Sequence, residues 1–596
     1  MKPLQTTALL GVARSEPGDA DRVWLRADGA PFDREDGAAD LVVAWRRSGT
    51  APEHAEHGRS ASGAWHCVLA GRSAAPTADA GGLANAFEAQ GVDALERLGG
   101  PCVGVLWSAR ERKQIAFRPA GGQRPLYYAP LPRGFAFASD ARSLAAHPEI
   151  GFAFDCAGAA QYLAFGFLLG PATLARGVRC LGPGARVESA GGALREVDAV
   201  FEPVAMPRDE AGCIERIDSA LHEAVARAWD GAARPALCLS AGLDSRTLLA
   251  VAHRRGIPLR CVTNGIRGSV ELRLARRMCD VVGAEHLETL LEQELVERIL
   301  DNASLVAECS DGEGALQNVI MLEVGRSYRA AHALDRVIRG HGGELLKLSL
   351  AYDFALPPEL ARQQDGVAAR DRIFGQLTAA ARMAAGERAL RGELADAFEH
   401  APRAAFRAAW DGLAAASTDS GGRAGLLFLR AFNGRSTAAA MRSLRQSVDL
   451  AQPFLDEEFV RTLLSAPSAL RLDSRLQLEL IRRNSPRLLR VPDSRVRAPL
   501  DASPLRRRVT DLAYRVARRF GAGRVDVPEK WLLARLDRFF AGILGEERSL
   551  SRPHVDPEGL RALLARAGAD GPRSRTLLGR LTMLELHLRS MERVRP

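Results

Sequence analysis

The stretch ALCLSAGLDSRTLLA, residues 236–250, is where residue type and spacing first suggest chemistry. Ala236 to Leu239 is a short apolar run of the kind that forms a buried parallel strand. Ser240, Ala241, Gly242, Leu243, Asp244 and Ser245 follow, small or hydroxylated except for one leucine and one acid. Leu248, Leu249 and Val251 then resume the apolar pattern at helical spacing. A strand, a small-residue loop and a helix start together make an anion site. The loop N–H groups point at the anion and the helix dipole favours negative charge there.

The loop is not of the GxxxxGK[ST] type, and no lysine lies near it in sequence. It is closer to S-G-G-x-D-S, the pyrophosphate loop of enzymes that cleave ATP to AMP and pyrophosphate, with Ala241 replacing the first glycine. An ordinary strand–turn–helix can share this pattern, so the surrounding elements have to decide.

Those elements belong to a chain of 596 residues, long enough for more than one core, since single cores stop growing near ~250–300 residues. No stretch approaches the ~20 uninterrupted apolar residues of a membrane span, and acids follow the short apolar run near the start, against a signal peptide. Nine cysteines are scattered without CxxC pairs, which predicts reduced thiols in a cytoplasmic protein and neither a zinc site nor a disulfide frame. The net charge is +9, yet the only lysines are Lys2, Lys113, Lys347 and Lys530. Acids alternate with the arginines and no basic stripe is interleaved with aromatics. Solvated helix faces and an anionic substrate are therefore expected rather than a nucleic-acid or membrane partner.

Up to about residue 200 short strands are broken by Gly, Pro and Asp, as in LVVAWRRSG, AWHCVLAG, CVGVLWSAR and KQIAFRPAG, which predicts a layered α+β domain. Beyond it a helix at Ile214, Ile217, Leu221 and Val225 leads into the strands ALCLS, IPLRCVTNG and DRVIRGHGG. That alternation predicts a doubly wound parallel sheet with its ligand at the carboxyl ends of the strands. From about 355 onward the sequence reads as helical and Ala/Arg-rich.

In this order the pieces resemble the asparagine synthetase superfamily over most of the chain. FRPAGGQRPLYYAPLPRGFAFASDARSLAAHP (117–148) is similar to that family's arginine-rich turn, PLYY strand and following segment. SAGLDS resembles its pyrophosphate loop, CVTNGIRGSVEL (261–272) the next strand, RGHGGE (339–344) its "SGxGxDE" loop, and QPFLDEEF (452–459) its "PFLD" motif. The resemblance implies an Ntn-hydrolase-like, class II glutamine amidotransferase-like sandwich over 1–205. It implies a PP-loop ATP-pyrophosphatase domain with a helical C-terminal region over 206–596.

It also implies ATP and Mg²⁺ as cofactors. Leu239, Ser240, Ala241, Gly242, Asp244 and Ser245 would bind ATP and its pyrophosphate, with Asn264, Arg339 and Gly340 flanking the nucleotide. Asp244 would hold Mg²⁺, a role compatible with capping the next helix. Glu344 stands at the second magnesium carboxylate, with Leu345 where glutamate is usual. A one-residue gap would instead align Glu344 with that glutamate and leave the metal short of a ligand. His341 falls where relatives carry tyrosine or glutamate; a neutral imidazole there could take the proton of an attacking amine. Arg497 falls at the family's late lysine and could clamp a carboxylate or phosphate but not act as a base, with Arg495 as competitor.

Glutamine-using members begin Met-Cys, and this chain begins Met1-Lys2, so the first domain reads as an inactive glutaminase fold. The combination is most similar to the lasso peptide cyclases. By that resemblance an Asp or Glu side chain of a ribosomal precursor peptide is adenylated, and the peptide's N-terminal amine attacks to close a macrolactam. The partners implied are that core peptide and a leader peptidase or leader-binding protein. A β-lactam synthetase, an ammonia-dependent amide synthetase and a non-catalytic scaffold remain as alternatives.

Overall fold

The computed structural model describes residues 9–14, 34–38, 41–45, 55–72, 79–198, 201–292, 298–350, 352–364, 366–383, 386–417, 419–493, 498–503, 527–567 and 572–593, with 295, 505, 509, 510 and 513 between them. Twelve strands form its first part: β1 Leu9–Arg14, β2 Arg34–Ala38, β3 Leu41–Trp45, β4 Ala55–Arg59, β5 His66–Gly71, β6 Cys102–Ser108, β7 Lys113–Phe117, β8 Tyr127–Leu131, β9 Gly134–Ala138, β10 Arg179–Cys180, β11 Arg186–Ala190 and β12 Ala193–Val197. They make two six-stranded antiparallel sheets, ordered β10-β8-β9-β1-β3-β2 and β12-β11-β7-β6-β5-β4. Leu9, Val68, Val105, Trp107, Phe135 and Phe137 form the apolar layer between them. The helix Ala80–Gln90 covers the outer face of one sheet through Leu83 and Phe87, and Leu144 of the short helix Ala141–Ala145 covers the other. This is the layered sandwich that the short, evenly punctuated strands predict.

The second part contains β13 Pro235–Cys238, β14 Arg260–Gly265, β15 Glu285–Leu290, β16 Arg336–Ile338 and β17 Asp449–Ala451, all parallel in the order β15-β14-β13-β16-β17. The chain moves from β13 outward to one side, then returns to place β16 on the other. That makes the carboxyl ends beside β13 a topological switch point, where a crevice opens. β15 (EHLETL) and β17 (DLA) escape the sequence pattern: one is polar and half-exposed, the other is three residues long.

The remainder is helical, as the composition predicts, and includes one run of π-helix, Phe428–Thr437. Its arginines correct one expectation, since several are buried clamps and not solvated faces. Arg118, 1% exposed, donates to the Leu181 carbonyl at 2.8 Å and, from the other domain, to the Gly434 carbonyl at 2.7 Å. Arg435 donates to the carbonyls of Gly170 and Ala172 at 2.7 Å each while pairing with Glu313. Arg445 donates to the Gln123 carbonyl at 2.9 Å. Guanidinium donors of this kind satisfy carbonyls that the junction between the sandwich and the second part would otherwise bury unpaired. Among the described residues no helix is long and apolar enough to cross a membrane.

Candidate active site

The pyrophosphate-loop sequence folds as its residue types require. β13 ends at Cys238 and the helix Leu243–Arg254 begins after an N-cap at Gly242, which supplies no side-chain cap. Asp244 therefore does not cap this helix; it sits in the first turn, and the first N–H groups are left for an anion. Within the loop, the Ser245 hydroxyl accepts from the Ser240 N–H at 2.9 Å and lies 3.0 Å from the Ser240 hydroxyl. The Ala241 N–H is already committed to a Glu271 carboxylate oxygen at 2.7 Å, which removes it from the expected anion cradle. Arg246, fully buried, donates to the carbonyls of Ala241, Val491 and Pro492 at 3.0, 2.6 and 2.8 Å. The loop is thereby tied to the segment that leads toward residues 494–497. Arg497 and its competitor Arg495 lie outside the described residues.

A cavity of about 230 Å³ opens at the carboxyl ends of β13, β14 and β16. Leu239, Ser240, Asp244, Ser245, Asn264, Arg339, Gly340, His341 and Glu344 all line it, residues drawn from three stretches of the sequence. Ala241 is fully buried beneath the loop, and Gly242 stands at the helix cap. Leu239 acts through its backbone: its carbonyl accepts from the Thr263 hydroxyl at 2.9 Å, joining β13 to β14. Asn264 is oriented by Tyr328, whose hydroxyl donates to its side-chain oxygen at 2.9 Å. Arg339 reaches the Met321 sulfur at 3.4 Å, and among the described residues no carboxylate pairs with it. Its charge remains available to an anionic ligand.

The RGHGGE turn presses against the loop. A Cβ at Gly343 would lie 2.5 Å from the Asp244 carboxylate, and one at Gly340 would lie 3.0 Å from the Ser245 nitrogen. Gly342 has a φ of +91°, the left-handed region where glycine is at ease. Glycine here lets two backbones meet face to face and brings Glu344 toward Asp244. Glu344, 7% exposed, accepts the Gly342 N–H at 3.0 Å. Burial, and then the neighbouring Asp244 charge, push its carboxyl up to about 7. Leu345 is fully buried and takes no part in the cavity.

Two carboxylates driven together at a phosphate-sized cavity fit a hard divalent cation. Mg²⁺ is commonly held by one or two carboxylates plus substrate phosphates, without a full protein cage. Among the described residues no cluster of three or more metal-ligating side chains exists.

Two contacts on Asp244 were not legible in the sequence. Lys347 Nζ donates to Asp244 Oδ1 at 2.6 Å, and Gln477 Nε2 donates to the same oxygen at 2.6 Å. Gln477 is 233 residues away and gave no local signal. Lys347 could have been found, because it is one of only four lysines among 81 basic residues.

His341 is half-buried at the cavity wall. Burial, reinforced by the Arg339 guanidinium, pushes its imidazole down to about 3. It is therefore neutral at physiological pH, as proton acceptance requires, but it is a weak base until negative charge arrives beside it.

Among the described residues of the first domain no cysteine is poised as a nucleophile. Of its cysteines and the rest, Cys67, Cys102, Cys156, Cys180, Cys213, Cys261, Cys279 and Cys309 are buried and Cys238 is half-buried. Burial raises the Cys67, Cys156 and Cys180 thiols and pushes Cys102 up to about 12. A nucleophilic thiol needs exposure and a lowered pKa, and none of the nine has both.

Comparison with known proteins finds a match in each part of the chain. Residues 69–198 match a glutamine amidotransferase domain, and residues 216–589 match asparagine synthase. Proteins described as putative glutamine-hydrolysing asparagine synthetases, from Mycobacterium bovis and Mycobacterium tuberculosis, are 27% identical over 216 residues. That alignment covers 34% of this chain and 33% of theirs, so the match spans about a third of the length of these curated relatives. The asparagine synthase match takes in more than half of the sequence, and the chain belongs to this family.

Proposed function

We propose that the chain forms a macrolactam in a ribosomal precursor peptide by adenylating an Asp or Glu side chain and joining it to the peptide's N-terminal amine. The observation that carries this reading is an activating cavity with its acid pair and loop hydroxyls in place, in a chain whose nine thiols are all buried or half-buried. In this reading the amine is the peptide's own rather than a product of glutamine hydrolysis. A tethered amine reaches a high effective concentration without a glutaminase.

Within this reading the substrate carboxylate attacks the α-phosphorus of ATP, forming an acyl-adenylate and expelling pyrophosphate. Ser240, Ser245 and the open N-terminus of the helix Leu243–Arg254 receive the pyrophosphate, and Arg339 adds an uncompensated positive charge. Asp244 and Glu344 would hold Mg²⁺, which when bound neutralises phosphate charge. The amine then attacks the acyl carbon, the C–N bond forms and AMP leaves. His341 takes the amine proton, its basicity restored by the adenylate's negative charge. An ammonia- or glutamine-dependent route would share these steps but differ in the amine and in the acid that is activated. The partners of this reading are the core peptide and a leader-removing protease, which frees the amine.

The test is ATP–pyrophosphate exchange with Mg²⁺ and a candidate core peptide, the same peptide lacking its acid, or free aspartate. Exchange that requires the peptide's acid and disappears in Asp244→Ala supports side-chain adenylation. Exchange with free aspartate alone refutes it and returns the protein to the amino-acid synthetases.

A further inference from the structure

We propose that Lys347 is the phosphate-binding cation of this site, held on Asp244 until nucleotide and metal arrive. The inference rests on the reading of the loop as an ATP site, and three independent observations point to it.

The first is composition. Four lysines stand among 81 basic residues, so a basic position in this chain is nearly always arginine. Yet the basic residue touching the pyrophosphate-loop acid is a lysine. Arginine and lysine differ in kind: the guanidinium is a rigid planar fork suited to bidentate pairing, whereas the ammonium is a compact point charge on a flexible stem. A group that must leave one anion and move to another is better served by the second.

The second is geometry. Lys347 follows the short helical turn Gly343–Leu346 that carries Glu344, so its position is fixed by the same turn that forms the acid pair. Its ammonium lies 2.6 Å from Asp244 Oδ1, with its side chain 16% exposed. It is thus neither sealed in the core nor free in solvent. Gln477 Nε2 holds the same carboxylate oxygen at 2.6 Å, so Asp244 keeps a partner when the ammonium departs.

The third is charge balance. Asp244 and Glu344 line one cavity, and the Lys347 ammonium rests directly on Asp244. Once Asp244 and Glu344 take up a divalent cation, the site holds one positive charge too many beside them. The ammonium is then repelled from Asp244 and attracted to the polyanion entering the cavity that Asp244 lines, which its flexible stem lets it reach and where a lysine binds phosphate as a point charge. The parked ammonium also keeps the acid pair from capturing metal without nucleotide, because metal and ammonium compete for one carboxylate.

This assignment predicts effects of opposite sign, which a merely structural lysine would not give. In Lys347→Met, affinity for Mg·ATP and for inorganic pyrophosphate with Mg²⁺ falls by about tenfold or more. Affinity for Mn²⁺ alone, read from the loss of the free-ion electron paramagnetic resonance signal, rises. Asp244→Asn releases the ammonium, so metal-free pyrophosphate binds more tightly than to the unaltered chain. Asp244→Asn/Lys347→Met loses that gain. Binding is measured by titration calorimetry on the full chain, with thermal unfolding to show that each variant is folded; Lys347→Arg, which keeps the charge, serves if the methionine variant is not.

In Lys347→Arg the Mn²⁺ affinity stays low while pyrophosphate affinity drops less than in the methionine variant. Unchanged pyrophosphate affinity in Lys347→Met, or weaker Mn²⁺ binding, overturns the assignment and leaves the ATP reading standing. Failure of the unaltered chain to bind either ATP or pyrophosphate overturns the ATP reading, and the role of Lys347 with it.

Discussion

Replacing Glu344 with glutamine separates what this carboxylate costs the fold from what it gives the site. In the folded chain its carboxyl is pushed from 4.5 up to about 7, by burial and by the Asp244 charge. Between those two values the unfolded chain has lost the proton and the folded chain keeps it. The folded state binds more protons there, so stability falls as pH rises through the window and levels off above 7. At about 1.4 kcal/mol per pH unit, the ionised carboxylate costs about 3 kcal/mol at pH 8 and about 0.8 kcal/mol at pH 5. Glutamine keeps an oxygen for the Gly342 N–H and carries no charge to bury. The variant should therefore exceed the parent slightly at pH 5 and clearly at pH 8.

A chain with more than one core need not unfold in a single step, so the quantity read is the apparent Tm, expected to rise by a few degrees at pH 8 and by much less at pH 5. Adding Mg²⁺ and ATP should stabilise the parent more than the variant, because the variant has lost a metal ligand. Equal Tm gains at both pH values, a loss at pH 8, or equal stabilisation by Mg·ATP would refute the reasoning.

Three further outcomes follow from the same geometry. His341→Ala should leave pyrophosphate exchange intact and slow amide formation by roughly 10²–10⁴-fold, seen by comparing exchange with product mass. Arg118→Met strips donors from the carbonyls of Gly122, Leu181 and Gly434. It should cost about 3 kcal/mol or more, lowering the apparent Tm and opening the junction between the domains to protease. A thiol reagent should modify few or none of the nine cysteines in the native chain and all nine in denaturant, with no ammonia released from glutamine in either parent or alkylated protein.

The sequence made the loop legible because its signal is local: Leu239 to Ser245 must turn, cap and bind within seven residues. The same holds for Gly340, His341 and Glu344, whose glycines are needed at the close approach to Asp244. What the sequence could not show is pairing across distance. Gln477 reaches Asp244 from a helix 233 residues later, and Glu271 takes the Ala241 N–H from the start of the helix after β14. Amphipathic spacing places Gln477 on a buried face but says nothing of which acid it meets. Burial likewise set the state of His341 and Glu344 in ways no spacing predicts, one depressed and one raised. The arginines misled for a related reason: alternation with acids reads as a solvated face, whereas Arg118, Arg246 and Arg435 spend their donors on backbone carbonyls.

Those carbonyl clamps also explain how a sandwich without an accessible thiol keeps a place in the molecule. Arg118 reaches from the sandwich to Gly434 in the π-helix, and a Cβ at Gly434 would meet Pro183 of the sandwich at 2.8 Å. Arg435, the next residue, returns to Gly170 and Ala172. Arg442 pairs with Asp311, whose other oxygen accepts the Ala141 N–H at 3.1 Å. The PFLD turn closes the chain of contacts. Gly121 of the sandwich approaches the Leu455 carbonyl so closely that a Cβ would lie 2.4 Å from it, and the Leu455 side chain leaves no room for a Cβ at Gly342. Gly342 donates its N–H to Glu344. One side chain therefore separates the sandwich from the turn that sets the acid pair, and removing the sandwich would unmake the wall on which that turn rests.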